Sequence, residues 1–358
     1  MSEKILPFVM PITDCYPATS EASGILFADP FISNWMFNNF IQIFQVEGNN
    51  AIDYYDFAID NNPFLSYNEI NYSFIKHNWK SLKAYIISCI NDDYYVRLFN
   101  NTSKNPLYEM KKEIQHDLLI YGYNDTDQIF YVADHFNSGK FENKVCSFEI
   151  LEDAVDTYKF KLFEDDPAFL NSVQMIRKED NMMRLRFSMY TPEEMDYILM
   201  LNLPRIIASI EDYLNARPTV NWYTRGRVMD QRLADSHKWG IECYDVLNLY
   251  LDSYKDENFS IQSFYLIFNH KTVMVERLQR ISQFYELPDF QYFIEKFHSL
   301  KNLANKLMML VFKLKFVEEK QPLMNKIKQK IGEIKELDDK YTSQLLQALR
   351  NAVLRKDG

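Results

Sequence analysis

His116 and Asp134 are the residues of this chain whose types and spacing point most directly to chemistry. The segment between them reads as a β-hairpin. Two runs rich in Ile, Leu, Tyr, Phe and Val flank Tyr123-Asn124-Asp125-Thr126-Asp127, a cluster of turn formers. With that five-residue loop closing the turn, Gly122 faces Gln128, Ile120 faces Phe130, Leu118 faces Val132 and His116 faces Asp134. Directly opposed residues of an antiparallel pair have Cβ atoms roughly 4.5–5.5 Å apart. The carboxylate can then fix the tautomer of the imidazole and hold its cation. That is the base and its orienting partner, two parts of a nucleophilic triad.

Cys15 is the candidate for the third. Thr13-Asp14-Cys15-Tyr16-Pro17-Ala18 reads as a loop entering a helix, with Pro17 suited to the first turn, where its missing N–H costs nothing. Glu21 tolerates the helix, whereas Gly24 weakens it. A thiol at a helix start meets unpaired N–H groups and the positive end of the dipole, so its thiolate is favoured, and a neighbouring imidazole completes the activation. The bland alternative has weight. Free cysteine is among the most buried residue types and most are inert, and a strand histidine is commonly a hydrogen-bonded core or edge residue.

The run His116…Gly122-Tyr123-Asn124-Asp125…Phe130-Tyr131-Val132-Ala133-Asp134-His135 resembles the His-Gly-Tyr-Asp…Asp-His region of the butirosin biosynthesis protein H family. Ser147-Phe148-Glu149-Ile150-Leu151-Glu152-Asp153-Ala154 is similar to the helix that follows in that family, and Cys15 to its N-terminal cysteine. Weaker likenesses occur at Trp239–Tyr244 and Phe268–Leu278, so the resemblance touches most of residues 10–280. It implies a papain-like fold redirected from proteolysis to acyl transfer. An acyl group passes from the phosphopantetheine thioester of an acyl or peptidyl carrier protein to the cysteine and then to an amine. Amide synthases of the kind that build closthioamide on a diamine core belong to the activities it implies. The phosphopantetheine belongs to the carrier, and no cofactor of the chain's own is expected.

Papain-like enzymes commonly place a Gln about six residues before the nucleophile to help bind the oxyanion; here that position is Val9. The Cys15 N–H could supply one donor. The second is open among Thr13, another backbone N–H, Asn34, Asn38 and Asn39.

The rest of the chain bounds these ideas. Its 358 residues, 47% apolar with 27 Phe, 24 Tyr and only 8 Gly, suit a packed globular protein of one large or two smaller domains. Four cysteines without C-x-x-C spacing, and no charged-then-apolar leader, point to a reducing, cytoplasmic setting. The apolar run Leu307–Phe312 is too short to span a membrane. A net charge of −10 argues against general nucleic-acid binding. The charge is uneven: residues 301–358 hold 13 Lys/Arg against 7 Asp/Glu (+6), and the remainder 27 against 43 (−16). An acidic body suits a cationic amine and a basic tail an acidic carrier protein; a plain solvated helix surface accounts for the tail equally well.

Residues 1–158 are expected to form an α+β catalytic part with a papain-like cysteine-protease fold. Residues 159–358 are expected to be mainly helical, completing the substrate site and offering a carrier-protein or dimer interface. Ser33 is a good N-cap for a helix reaching towards Phe44, and Leu82–Ile90 fits helix or buried strand. Tyr94–Phe99 reads as strand, Asn100–Pro106 as a surface loop, Val145 as a short strand, and Ser147–Val155 as helix. Further strands are expected at Tyr158–Phe163 and Met183–Phe187. Helices are expected from Thr191-Pro192, from near Asp235, over Ile261–Tyr285 and over 290–317, with a loop at Asn215–Arg227. Gln321-Pro322 breaks the last pair, after which Ile327, Ile331, Ile334 and Leu337 form a narrow stripe that either packs on the body or makes a homodimer seam.

Asp235, His237, Glu242, Cys243 and Asp245 match no standard zinc spacing, so no metal site is assigned. There is no P-loop or dinucleotide glycine motif. An amide former without ATP needs a pre-activated donor, which a thioester provides. Acyl transfer from Cys15 to an amine leads, with His116 as base and Asp134 as its orienter. A hydrolase (peptidase or thioesterase) with the same triad, or a non-catalytic helical interaction protein, are the alternatives.

Overall fold

The computed structural model describes residues 3–30, 32–46, 51–55, 64–109, 113–137, 139–156, 172–178, 200–219, 237–254 and 259–356. The chain is α+β with a largely helical C-terminal part. It divides into a sheet unit (Met1–Asp29 and Asn62–Met189) and a helical unit (Pro30–Asn61 and Tyr190–Gly358). Residues 30–61 therefore belong with the helices, not with the sheet to which the sequence reading gave them.

The chain opens the sheet unit with β1 (Glu3–Ile5) and α1 (Pro17–Leu26). It passes into the helical unit for α2 (Ser33–Asn39), β2 (Ile43–Gln45) and β3 (Ile52–Tyr54), then returns for β4 (Leu65–Asn71), α3 (Tyr72–Asn78) and α4 (Leu82–Asn91). Next come β5 (Tyr94–Asn101), β6 (Gln115–Asn124), β7 (Ile129–Asn137), β8 (Lys140–Ser147), α5 (Phe148–Asp156) and β9 (Ser172–Lys178). The helical unit resumes with α6 (Leu203–Leu214), a 3₁₀ turn (Gly240–Glu242), α7 (Cys243–Asp252), α8 (Gln262–Phe284), α9 (Gln291–Lys313) and α10 (Lys320–Lys356).

The sheet order is β4-β9-β5-β6-β7-β8, with β1 added to β6 beside Gly122–Asn124, and every pairing is antiparallel. Leu118, Leu119, Ile120, Val132 and Ala133 are fully buried at its centre. Helices α4 and α5 pack on β5, and α1 packs on β6 and β7. Gly24, unfavourable by propensity, is retained inside α1 for a packing reason. A Cβ there would come within 2.3 Å of the Phe8 ring and 2.9 Å of Val9 O, so only glycine lets the 7–13 segment lie across the helix.

Several expectations need correction. Ser33 is not the cap of α2 but its first residue, with Oγ donating to Pro30 O at 2.7 Å, and the helix stops at Asn39. Asn100–Pro106 is a surface loop only in part: Ser103, Lys104 and Pro106 are exposed, but Asn100 and Asn101 end β5 and are buried with Asn105, and the amides of Asn100 and Asn105 join a polar network with Tyr108. Leu82–Ile90 is helix, and the strand around Val145 is the full-length β8. The expected elements at 158–163, 183–187 and 191 onward, residues 220–227 of the expected loop, and Asp235 lie outside the described residues.

The helical unit buries charge as well as hydrocarbon. Asp338 Oδ2 on α10 accepts from Lys271 Nζ (2.5 Å), Tyr213 OH (2.6 Å) and Tyr244 OH (3.0 Å), and Thr342 Oγ1 reaches Oδ1 at 3.1 Å. Lys271 and Asp338 have no exposure. Arg277, equally buried, donates to Phe37 O (2.5 Å) and Phe40 O (2.7 Å), carbonyls that the C-terminal end of α2 leaves over. Ile327, Ile331 and Ile334 are buried within this unit, against which α10 packs through α6, α7 and α9, so the stripe is core and not a dimer seam. Glu242 pairs with Lys238 and Asp245 with Lys335, which accounts for two members of the acidic cluster as surface ion pairs. No described helix is long and apolar enough to cross a membrane.

Truncating one partner of a buried ion pair leaves the other uncompensated. Lys271→Met should lower unfolding free energy by about 3–5 kcal/mol in urea titrations, and Lys271→Met/Asp338→Leu should recover most of that loss.

Candidate active site

The hairpin closes differently from the sequence reading, and the difference decides which side chains meet. The turn is the four residues Asp125–Gln128, so Asn124 pairs with Ile129, Tyr123 with Phe130 and Gly122 with Tyr131. Beyond a β-bulge at Tyr121, Ile120 pairs with Val132 and Leu119 with Ala133. Continuing the turn-proximal register would put Asp134 on the face opposite His116, because side chains alternate with a period of two. The extra residue at the bulge shifts the phase by one and returns both to one face. They sit diagonally rather than opposite, and His116 Nδ1 lies 2.8 Å from Asp134 Oδ2. Gly122, next to the bulge, makes room for β1: a Cβ there would come within 2.8 Å of Lys4 O.

Asp134 is wholly buried, and its oxygens are filled. Oδ2 accepts from His116 Nδ1 and, in a very short hydrogen bond, from Tyr108 OH; Oδ1 accepts the His135 backbone N–H at 2.6 Å. Asn100 Nδ2 donates to Tyr108 OH (3.2 Å) and His116 O (3.1 Å), and Asn105 Nδ2 donates to Asn100 Oδ1 (3.2 Å). Burial by itself would raise the Asp134 carboxyl pKa. The hydrogen bonds from His116 and His135, the His116 charge and the Tyr108 hydroxyl reverse this and hold it below its ordinary value.

Nδ1 of His116 also lies 3.1 Å from Asp117 O. Both neighbours are acceptors, so Nδ1 carries the hydrogen and Nε2 is the basic nitrogen. Burial disfavours the imidazolium, but the hydrogen bond and charge of Asp134, with the Asp117 carbonyl, outweigh it and lift the pKa to about 9. At neutral pH the pair is imidazolium and carboxylate.

Cys15 is buried immediately before α1. Pro17 occupies the first turn as expected, no side chain caps the N-terminus, and the first turn holds no acid. The adjacent Asp14 O accepts from His135 Nε2 at 2.6 Å. That bond pins the start of α1 to the end of the sheet where β6 begins and β7 finishes. Burial pushes the Cys89 thiol up to about 11 and Cys146 to about 12, and holds Cys243 well above the ordinary range.

The oxyanion candidates fare less well. Thr13 Oγ1 is buried against Ser23 Oγ at 2.6 Å. Asn34 and Asn38 belong to the helical unit. Asn34 Oδ1 accepts from Arg280 (3.3 Å), while Asn38 donates to Met200 O (2.8 Å) and accepts from Asn202 N–H (2.9 Å). Asn39 Nδ2 bonds Trp35 O at 2.6 Å. These amides tie helix ends together. Sequence reasoning missed Tyr108, Asn100, Asn105, Arg97 and Glu21. Only the density of Asn around Asn100–Asn105 signalled a polar network. No protein-family model matches the chain, and no curated protein matches it.

The paired titration has a defined sign. The raised His116 pKa stabilises the fold fully below its unfolded value of 6.5, and the contribution is lost as pH rises through about 9. The lowered Asp134 pKa contributes above 3.8 and is lost as pH falls through its folded value. NMR titration should find His116 near 9, and in Asp134→Asn below 6.5, because only the burial effect then remains dominant; that variant should also lose the alkaline arm of its stability profile.

Proposed function

We propose that this protein is a papain-like cysteine acyltransferase that forms an amide. The acyl group moves from a carrier-protein phosphopantetheine thioester, through a Cys15 acyl-enzyme, to an amine acceptor such as a diamine. The reading is carried by the His116–Asp134 pair, whose basic nitrogen is Nε2, together with the Asp14–Cys15 segment pinned to the same end of the sheet. In this reading the thiol meets Nε2 at that end.

The Cys15 thiolate attacks the thioester carbonyl carbon. A new carbon–sulfur bond forms, the bond to pantetheine breaks, and the departing thiolate takes the proton from His116 Nε2. The amine then attacks the acyl-enzyme and gives its proton to Nε2. A carbon–nitrogen bond forms and the Cys15 thiolate leaves, restoring the ion pair. Asp134 keeps Nδ1 protonated throughout and stays ionised. With Thr13, Asn34 and Asn38 committed elsewhere, the oxyanion falls to backbone N–H groups at the start of α1, which an α-helix leaves without intrahelical partners.

The burial of Cys15 favours transfer over hydrolysis, because it shields the acyl-enzyme from bulk water. The acidic charge of residues 1–300 favours a cationic acceptor, and the basic C-terminal segment an acidic carrier. Part of that basic charge is neutralised locally, since Lys328, Lys335 and Arg350 pair with Asp252, Asp245 and Glu211. None of the four cysteines forms a disulfide, in keeping with a cytoplasmic protein.

Intact-protein mass spectrometry with acyl-pantetheine thioesters should show one acyl adduct that Cys15→Ala abolishes and a diamine discharges as amide. His116→Gln should slow adduct formation by about 10²–10⁴-fold. Discharge by water as fast as by amine would make the protein a hydrolase. No adduct with any thioester, and no Cys15 dependence, would leave a helical interaction protein.

A further inference from the structure

Arg97 on β5 is a buried guanidinium shared among three other elements. Its Nε lies 2.7 Å from Glu21 Oε2 on α1, its Nη2 2.7 Å from Asp117 Oδ2 on β6, and its Nη1 donates to Gln174 Oε1 on β9 at 2.8 Å. Glu21 has no exposure, and among the described residues neither of its oxygens receives a directed hydrogen bond, so its contact with Arg97 is electrostatic. Gln174 is neutral, so the buried guanidinium relies on the two carboxyl groups beside it, one of them on the helix that follows Cys15.

The chain of contacts has a direction. Glu21 stands on the rigid helix whose N-terminal end carries Cys15. Asp117 follows His116 directly, and its carbonyl accepts from His116 Nδ1. One planar fork therefore ties the helix of the nucleophile to the strand of the base, and neither Asp134 nor Tyr108 makes that connection. Resting on the triad reading above, we propose that Arg97 is a positioning residue: through Glu21 and Asp117 it fixes α1 against β6 and so sets the approach of the Cys15 thiol to His116.

The charges around the clamp agree. Burial raises Glu21 to about 8, Arg97 opposes the rise, Asp117 and Asp134 add to it, and His116 opposes it. Arg97 thus faces both Glu21 and Asp117, while His116 pairs with Asp134. Removing Arg97 would leave the Asp117 carboxylate without its cation beside the catalytic strand, whereas removing Glu21 detaches α1 without orphaning a charge.

The test is the pH dependence of Cys15 alkylation by iodoacetamide, resolved by peptide mass spectrometry, on the full chain with its fold monitored by circular dichroism. Wild type should show an inflection well below that of a free thiol, which lies near about 8.5. In Arg97→Met the inflection should move up towards that value and the rate at pH 6 should fall at least about tenfold, with Arg97→Lys restoring part of it. Glu21→Ala should shift the profile in the same direction, which keeps the test decisive if Arg97→Met does not fold. A low inflection in wild type that both folded variants share would overturn the positioning role and leave the triad intact. An ordinary thiol profile in wild type would remove the triad reading, and the clamp with it.

Discussion

A carboxylate sealed from solvent has to recover its lost hydration from fixed donors, and around Asp134 those donors come from three places in the chain. His116 supplies a ring N–H from β6, Tyr108 a hydroxyl from the segment after β5, and His135 its own backbone N–H, while Asn100 and Asn105 hold Tyr108 in place. Because the ionised form is so well served, the carboxyl stays charged in a site that would otherwise neutralise it, and that charge in turn keeps the imidazole protonated. The bulge at Tyr121, the glycine that admits β1 beside it and the burial of Asn100 and Asn105 all serve this arrangement. Without the bulge, His116 and Asp134 would point to opposite faces.

The helical unit solves a similar problem for another purpose. Its buried carboxylate, Asp338, is met by a lysine, two tyrosines and a threonine, all enclosed. The network ties α6, α7, α8 and α10 together at one point. A sealed, fully satisfied network of this kind favours one arrangement of helices over others that would strand a charge. The difference between the two units lies in access. His116 keeps part of its ring at the surface, whereas Lys271 and Asp338 have none.

The strongest parts of this picture were legible in the sequence, for reasons that can be named. Period-two alternation marked β6 and β7, and the real register differs from the expected one by two residues beyond the bulge, an even number, so His116 and Asp134 kept the same face. Pro17 marked the start of α1, and the 3.6-residue period marked α8, α9 and the isoleucine stripe of α10. Strands β4 and β9 escaped notice because Leu65–Asn71 is mostly polar and Ser172–Lys178 is short and mixed. Their hydrophobic logic appears only once they pair with each other and with β5. Arg97, Glu21 and Tyr108 were invisible for the same reason. Each is an ordinary residue whose acid–base or hydrogen-bonding partner across the carboxyl contact lies 20 to 76 positions away. The transfer of residues 30–61 to the helical unit likewise depends on contacts such as Arg277 with Phe37 and Phe40, which no local pattern encodes.

The central claim is that Cys15 and His116 share one proton as a thiolate–imidazolium pair. Coupling between two titrating groups is reciprocal, so the cysteine has to be visible in the titration of the histidine. The most direct measurement is the NMR titration of the His116 ring in wild type and in Cys15→Ala. The account predicts a lower His116 pKa in the variant, because the imidazolium loses one of its two anions while Asp134 remains. An identical titration in both proteins would show that the thiol does not reach the ring, and would contradict it.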